Sequence, residues 1–239
     1  MKFLKSYSDI ITENGIDFVS GLWITIYITA VSLIFSVLIG IGIGYLNTIP
    51  VRKKSFSTRI IKLFQWLGRQ YIDLIRGTPL LVQAIFFYFG VVPLIINPLL
   101  NRMGIENMSA EISGIIVISL NAGAYLSEIF RGGIQAIDPG QMEAARSLGL
   151  PFSKAMSKVI LPQAFKNTVP SILNQFIISL KDTSLLMIIG VADLMGEGKI
   201  AYQKNYRVFE TMLIVAFIYY IVIKILTILF KKIEEKLKV

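Results

Sequence analysis

The chain has 239 residues, of which 54% are hydrophobic and only 16% charged, and it carries a net charge of +9. A soluble domain carries about a quarter charged residues, and here the apolar residues also fall in long blocks, so the composition excludes an ordinary soluble domain and marks an integral membrane protein. Cysteine and histidine are both absent, which removes disulfides, thiol chemistry, His-based metal sites and His acid–base catalysis, and no metal or cofactor is expected.

In chain order, residues 1–20 come first. They lack the uninterrupted apolar core of a signal peptide. Phe3, Tyr7, Ile10 and Ile11 share a helical face, with Lys5, Ser6, Asp9 and Glu13 elsewhere, which predicts a short amphipathic helix lying on the outer membrane surface. Five apolar blocks follow, at 23–45, 79–100, 112–130, 170–191 and 209–230, each long enough at about 20 residues to cross a bilayer. The alternation of a membrane barrel is missing, so helices are the remaining spanning solution. The expected fold is all-α, one transmembrane domain over 21–230 with about five spans. In the first span Gly40 and Gly44 form a GxxxG step suited to close helix packing. The fourth span is the weakest, being interrupted by Ser171, Asn174, Gln175, Ser179, Lys181 and Asp182.

The basic residues alternate between loops. Arg52, Lys53, Lys54, Arg59, Lys62, Arg69 and Arg76 lie between spans one and two, against Asp73 alone. Arg131, Arg146, Lys154, Lys158 and Lys166 lie between spans three and four, against Asp138 and Glu143. The tail 231–239 adds Lys231, Lys232, Lys236 and Lys238, whereas the other loops hold Arg102, and Lys199, Lys204 and Arg207. By the positive-inside rule the first set is cytoplasmic. The excess charge therefore encodes topology, N-terminus outside and C-terminus inside, with no nucleic-acid partner. The tail reads as a membrane-facing anchor for anionic lipid.

Within the loop 138–162, Asp138 is a good N-cap, Pro139 suits the first helical position, and Gly149 suits a helix end with Pro151 beyond. This predicts a short helix over 139–148 and a second over 152–161, stopped by Pro162. In the first, Glu143 and Arg146 form an i, i+3 pair, while Met142, Ala145 and Leu148 offer small and apolar contacts. Such a helix is built to push on another protein, or it merely connects two spans.

Glu143-Ala144-Ala145, three residues, Gly149, nine residues, Val159, one residue, then Leu161-Pro162 resembles the EAA loop of bacterial ATP-binding-cassette (ABC) importer permeases; Val159 stands where that family usually has isoleucine. "RGTPLLVQ" (76–83), "GAYLSEIFRGGIQAI" (123–137), "SLKDTSLL" (179–186) and "GLWITIYIT" (21–29) resemble the polar amino acid group, the importers of histidine, glutamine, arginine and cystine. The similarity covers nearly the whole chain. It implies a type I importer permease of the bacterial inner membrane that dimerises, with itself or with a sister permease, and carries two copies of a cytoplasmic ATPase subunit. It also implies an extracellular or periplasmic amino acid-binding protein. The EAA loop would hold the ATPase-coupling residues Glu143, Ala144, Ala145, Gly149, Leu161 and Pro162.

Charges inside a span cost about 2.5–3.5 kcal/mol each on insertion scales. Lys181 and Asp182 are neighbours, diverging by about 100° around a helix, so each needs a partner elsewhere. Asn121, Tyr125 and Glu128 fall at i, i+4 and i+7 on one face of the third span. Counting from Asp138, Glu128 lies about 15 Å inside, and counting from Pro170, Lys181 and Asp182 lie about 17 Å inside. That is mid-bilayer, where transporters place cargo. A lysine ammonium can hold an α-carboxylate and carboxylates an α-ammonium. The expected substrate-binding set is thus Glu128, Lys181, Asp182, Thr183, Asn121 and Tyr125, with Thr183 and Ser184 loosening the local helix. The other reading is an ion pair, Glu128 with Lys181 or Arg131, that locks two helices.

Two other functions fit less well. Intramembrane hydrolysis lacks its acid–base set and a nucleophile motif. A secondary, ion-coupled amino acid transporter would use the buried acids, but there is no inverted repeat. The chain has no GxxxxGK[ST] phosphate loop, so it is not itself an ATPase, and ATP falls to a partner.

Overall fold

Lipid offers the backbone no hydrogen bonds, so an apolar run must satisfy its own peptide groups, and the chain does so as helices throughout. The computed structural model describes residues 2–50 and 56–237. Arg52, Lys53, Lys54 and Lys238, and the side chain of Phe3, lie outside the described residues. Among the described residues there are no strands, and the helices are α1 (Lys2–Leu46), α2 (Phe56–Arg76), α3 (Leu80–Ile85), α4 (Asn97–Arg102), α5 (Ala110–Gln135), α6 (Pro139–Ser147), α7 (Phe152–Ala155), α8 (Leu161–Asp182), α9 (Leu194–Asn205) and α10 (Val208–Leu237). A π-helical stretch, Phe86–Ile96, joins α3 to α4, another, Met156–Ile160, joins α7 to α8, and a 3-10 helix, Thr183–Ile189, continues α8.

Five of these stretches are long and apolar enough to cross a membrane: Lys5–Leu46, Leu80–Arg102, Ala110–Gln135, Phe152–Ile189 and Val208–Lys236. All five expected spans are present, and three expectations need correction. The N-terminal helix is not separate, because α1 runs unbroken from Lys2 to Leu46; Ile10 and Phe18 are buried against Leu194, Ala201 and Val215, which gives the first turns an apolar surface to pack on. Pro162 does not stop a helix. It is the second residue of α8, just after the widened π turn, where a missing N–H is tolerated. The fourth span likewise passes through Pro170 rather than starting there.

Two compact units divide the described fold. One comprises Met1–Leu33, Thr78–Ser119 and Phe176–Leu229. Its core gathers Ile28, Ala84, Val117, Ile118, Leu186, Ile189 and Val191, with Gly114 leaving room for Leu186. The other comprises Ile34–Gly77, Leu120–Gln175 and Phe230–Val239. There the GxxxG step works by close approach: a Cβ on Gly40 would sit 2.6 Å from Leu126 Cβ, and one on Gly44 2.8 Å from the Ser127 carbonyl oxygen. Helix α2, within what reads as a basic loop, belongs to this second unit.

Candidate functional site

In the second unit α5 presents Glu128 to two guanidinium groups. Arg131 Nε donates to Glu128 Oε1 at 3.0 Å, and Arg131 Nη2 to Oε2 at 2.6 Å. Arg76 Nη1 lies 3.8 Å from the same Oε2, and its guanidinium sits 5.3 Å from the centre of the Tyr125 ring, a cation–π contact. Of the partners considered for Glu128, Arg131 is therefore formed. Arg76 was not foreseen. It reaches this place because α2 is anchored to α5, the Tyr71 hydroxyl donating to the Leu120 carbonyl, and to the end of α1, where Gln65 Nε2 donates to the Leu46 and Ile49 carbonyls. These side chains open on a polar cavity of about 340 Å³ lined by Asn47, Gln65, Arg69, Asp73, Arg76, Glu128, Arg131 and Gln135, with Ile72. Asn121 is buried one turn before Tyr125.

Lys181, Asp182 and Thr183 belong to the first unit. Lys181 is exposed, Asp182 half-buried and Thr183 fully buried. Thr183 and Ser184 do not loosen the helix but tighten it. Their hydroxyls donate back to the Leu180 and Lys181 carbonyls, at 2.9 and 2.6 Å, where α8 passes into the 3-10 turn. The same region contains a carboxylate that sequence reasoning passed over. Asp193 is 0% exposed; its Oδ1 accepts from the Gly196 N–H at 2.9 Å, capping α9, and its Oδ2 lies 3.3 Å from the Tyr219 hydroxyl and 3.4 Å from that of Thr183. Burial pushes this carboxyl up to about 6, against the hydrogen bonds from Gly196, Tyr219, Met195 and Thr183 that pull it down. An Asp immediately before Leu194-Met195-Gly196 was the available signal, an N-cap pattern.

The loop 138–162 matches its first expected helix. Asp138 Oδ1 accepts from the Gly140 N–H at 2.7 Å, and Gly149 has φ +84°, the left-handed turn that ends such helices. Helix α6 buries Ala145 and leaves Glu143, Ala144 and Leu148 exposed, Leu148 by 84%. Arg146 does not pair with Glu143; its Nη1 donates to the Leu150 carbonyl at 3.1 Å, which stiffens the turn after α6. Leu161 and Pro162 open α8.

Residues 55–239 match the model of the family described as binding-protein-dependent transport system inner membrane component. The chain is 38% identical over 218 residues to the arginine transport system permease protein ArtQ of Bacillus subtilis (strain 168), covering 91% of each. It is 32% identical over 225 residues to the glutamine transport system permease protein GlnP of Escherichia coli (strain K12), covering 92% of this chain and 93% of that one. The chain belongs to this family, among the polar amino acid ABC permeases. A solved chain from the crystal structure of an amino acid ABC transporter with histidines is 36% identical and superposes with a TM-score of 0.79, covering 95% of the permease and 96% of that chain. A second, from an inward-facing MetNI methionine ABC transporter, shares the fold at 20% identity with a TM-score of 0.72, covering 92% and 95%. The permease is thus an amino acid ABC importer subunit with the type I permease fold, a multi-pass protein of the bacterial inner membrane.

Proposed function

We propose that this permease forms the path for a polar amino acid and that α6 transmits the cycle of a cytoplasmic ATPase to it. The observation that carries the coupling reading is α6 itself, capped by Asp138, closed by Gly149 and exposing Glu143 and Ala144 within an EAA pattern. The partners in this reading are two ATPase subunits, an external amino acid-binding protein and a second permease subunit, with lipid around the spans. Glu143→Lys or Gly149→Asp should leave the protein in the membrane while the loaded binding protein no longer stimulates ATP hydrolysis. Normal stimulated hydrolysis with normal uptake would contradict it.

The cargo reading rests on the chemistry of the side chains. An amino acid carries an α-ammonium and an α-carboxylate. The cavity beside Glu128 offers two acids, Asp73 and Glu128, and three arginines, Arg69, Arg76 and Arg131, in a volume within the range of about 300–1,000 Å³ usual for small-molecule sites. Asn121 and Tyr125 extend that face; Lys181, Asp182 and Thr183, in the first unit, are separately assigned to cargo contact by their charge and hydroxyl chemistry. Arginine and glutamine, named in the relatives, are the first cargoes to test. The N-out, C-in orientation follows from the loop charges. Because the chain has no cysteine, single thiols introduced by Ser153→Cys and Gln203→Cys decide it. An impermeant reagent outside the cell should modify the second and spare the first; the opposite pattern reverses the topology.

A further inference from the structure

Asp193 lies outside the residues assigned to cargo and coupling, yet it is the most enclosed ionisable side chain among the described residues. Four elements converge on it. Tyr219 comes from α10 and donates to Oδ2 at 3.3 Å, and Thr183 comes from the 3-10 turn, its single hydroxyl proton shared between the Leu180 carbonyl at 2.9 Å and Oδ2 at 3.4 Å. The N-terminus of α9 supplies the Gly196 N–H. Helix α1 closes the fourth side: Thr25 Oγ1 accepts from the Leu194 N–H at 3.1 Å and donates to the Gly21 carbonyl at 3.0 Å. Gly21 is what lets α1 come so near, since a Cβ there would lie 2.9 Å from the Asp193 carbonyl oxygen and equally near Glu197 Cγ. Thr25, Thr183, Asp193 and Leu194 are all 0% exposed.

A buried carboxylate with only neutral donors is a costly way to hold four elements together, because nothing neutralises its charge. What the carboxylate adds is direction. It links Thr183, one residue beyond the Lys181–Asp182 pair and already bonded to the Leu180 carbonyl, to the start of α9 and to α10.

We propose that Asp193 is a positioning residue for transport, clamping Thr183 so that the Lys181–Ser184 segment keeps one orientation relative to α9 and α10. The proposal rests on the cargo reading of Lys181 and Asp182, and its test separates the two. Ser184→Cys places a thiol on the clamped segment, and Ser153→Cys places a control in the other unit. Maleimide labelling rates are then measured in purified permease–ATPase complex with Asp193 intact, with Asp193→Ala, with Thr183→Val, and with both changes. Losing a hydrogen bond to a charged group should raise labelling at position 184 by about tenfold or more. Labelling at 153 should stay unchanged. Asp193→Ala and Thr183→Val should give similar increases, and the double change no more than the larger single one.

Arginine and glutamine uptake by the same variants reports what the clamp does. Asp193→Asn and Thr183→Val should raise the KM for whichever cargo the wild type imports, with complex yield retained. Unchanged labelling at 184, or an equal rise at 153, overturns the clamp. Increased labelling with an unaltered KM overturns its role in transport. Lys181→Met that leaves uptake normal refutes the cargo reading of that segment and leaves the labelling result to stand on its own.

Discussion

Two carboxylates in this molecule are stabilised in opposite ways. Glu128, in the unit containing α2, is partly open to a polar cavity and is held by guanidinium groups at 2.6, 3.0 and 3.8 Å. Asp193, in the unit containing α9, is sealed from solvent and held by the Gly196 and Met195 backbone amides and the hydroxyls of Tyr219 and Thr183. A charge among partly solvated cations can exchange partners with an incoming zwitterion at little cost, because each hydrogen bond lost is replaced. A charge in a dry shell of neutral donors cannot exchange anything. The first arrangement suits contact with cargo, and the second suits fixing the geometry of what surrounds it.

The largest expected effect that sharpens this contrast is thermodynamic. The Asp193 carboxyl is raised in the folded protein from 3.8 to about 6, so between those values the native state binds more protons than the unfolded one. Its contribution to stability is fully present below pH 4 and is lost as pH rises through 6, by at most about 3 kcal/mol. Melting curves of the purified complex in detergent should show this component in the wild type and lose it in Asp193→Asn, which should be no less stable than wild type at pH 7.5. A wild-type pH profile identical to that of Asp193→Asn would mean that burial does not perturb this group.

A smaller effect belongs to Arg76. Replacing it by lysine keeps the charge but loses the flat stacking over Tyr125 and lengthens an already long contact to Glu128. The expected loss is about 0.5–1 kcal/mol, a two- to fivefold rise in uptake KM. No change would assign Arg76 to α2 alone.

The sequence showed the five spans because lipid selects for long apolar runs, and it showed α6 because Asp138, Pro139 and Gly149 mark both of its ends. Helix α2 was hidden: Arg59, Lys62, Arg69 and Arg76 made 52–76 look like a basic loop, although Ile60, Phe64, Leu67, Tyr71 and Leu74 recur at helical spacing. Pro162 and Pro170 misled in the same manner, since a proline reads as a stop unless a preceding π turn, visible only in the backbone, accommodates it. At the candidate site, Asn121, Tyr125 and Glu128 were legible as one face of one helix. Arg76 was not, because its place depends on Tyr71 and Gln65 fixing α2 against α5 and α1. Asp193 was overlooked because a cap between two apolar stretches looks the same whether exposed or buried; only the approach of α1 at Gly21 seals it.

Whether Glu128 is present for cargo or for helix packing decides how this permease handles its substrate. The decisive measurement is arginine and glutamine uptake together with complex yield for Glu128→Gln, Lys181→Met and the double change. Glu128→Gln keeps size and most hydrogen bonding, so loss of one charged hydrogen bond to cargo predicts uptake reduced about ten- to hundredfold with yield intact. Lys181→Met should also impair uptake, and the double change should not repair it. Low yield in Glu128→Gln, or transport restored in the double change, would show that these charges serve the protein's own packing and would contradict the account.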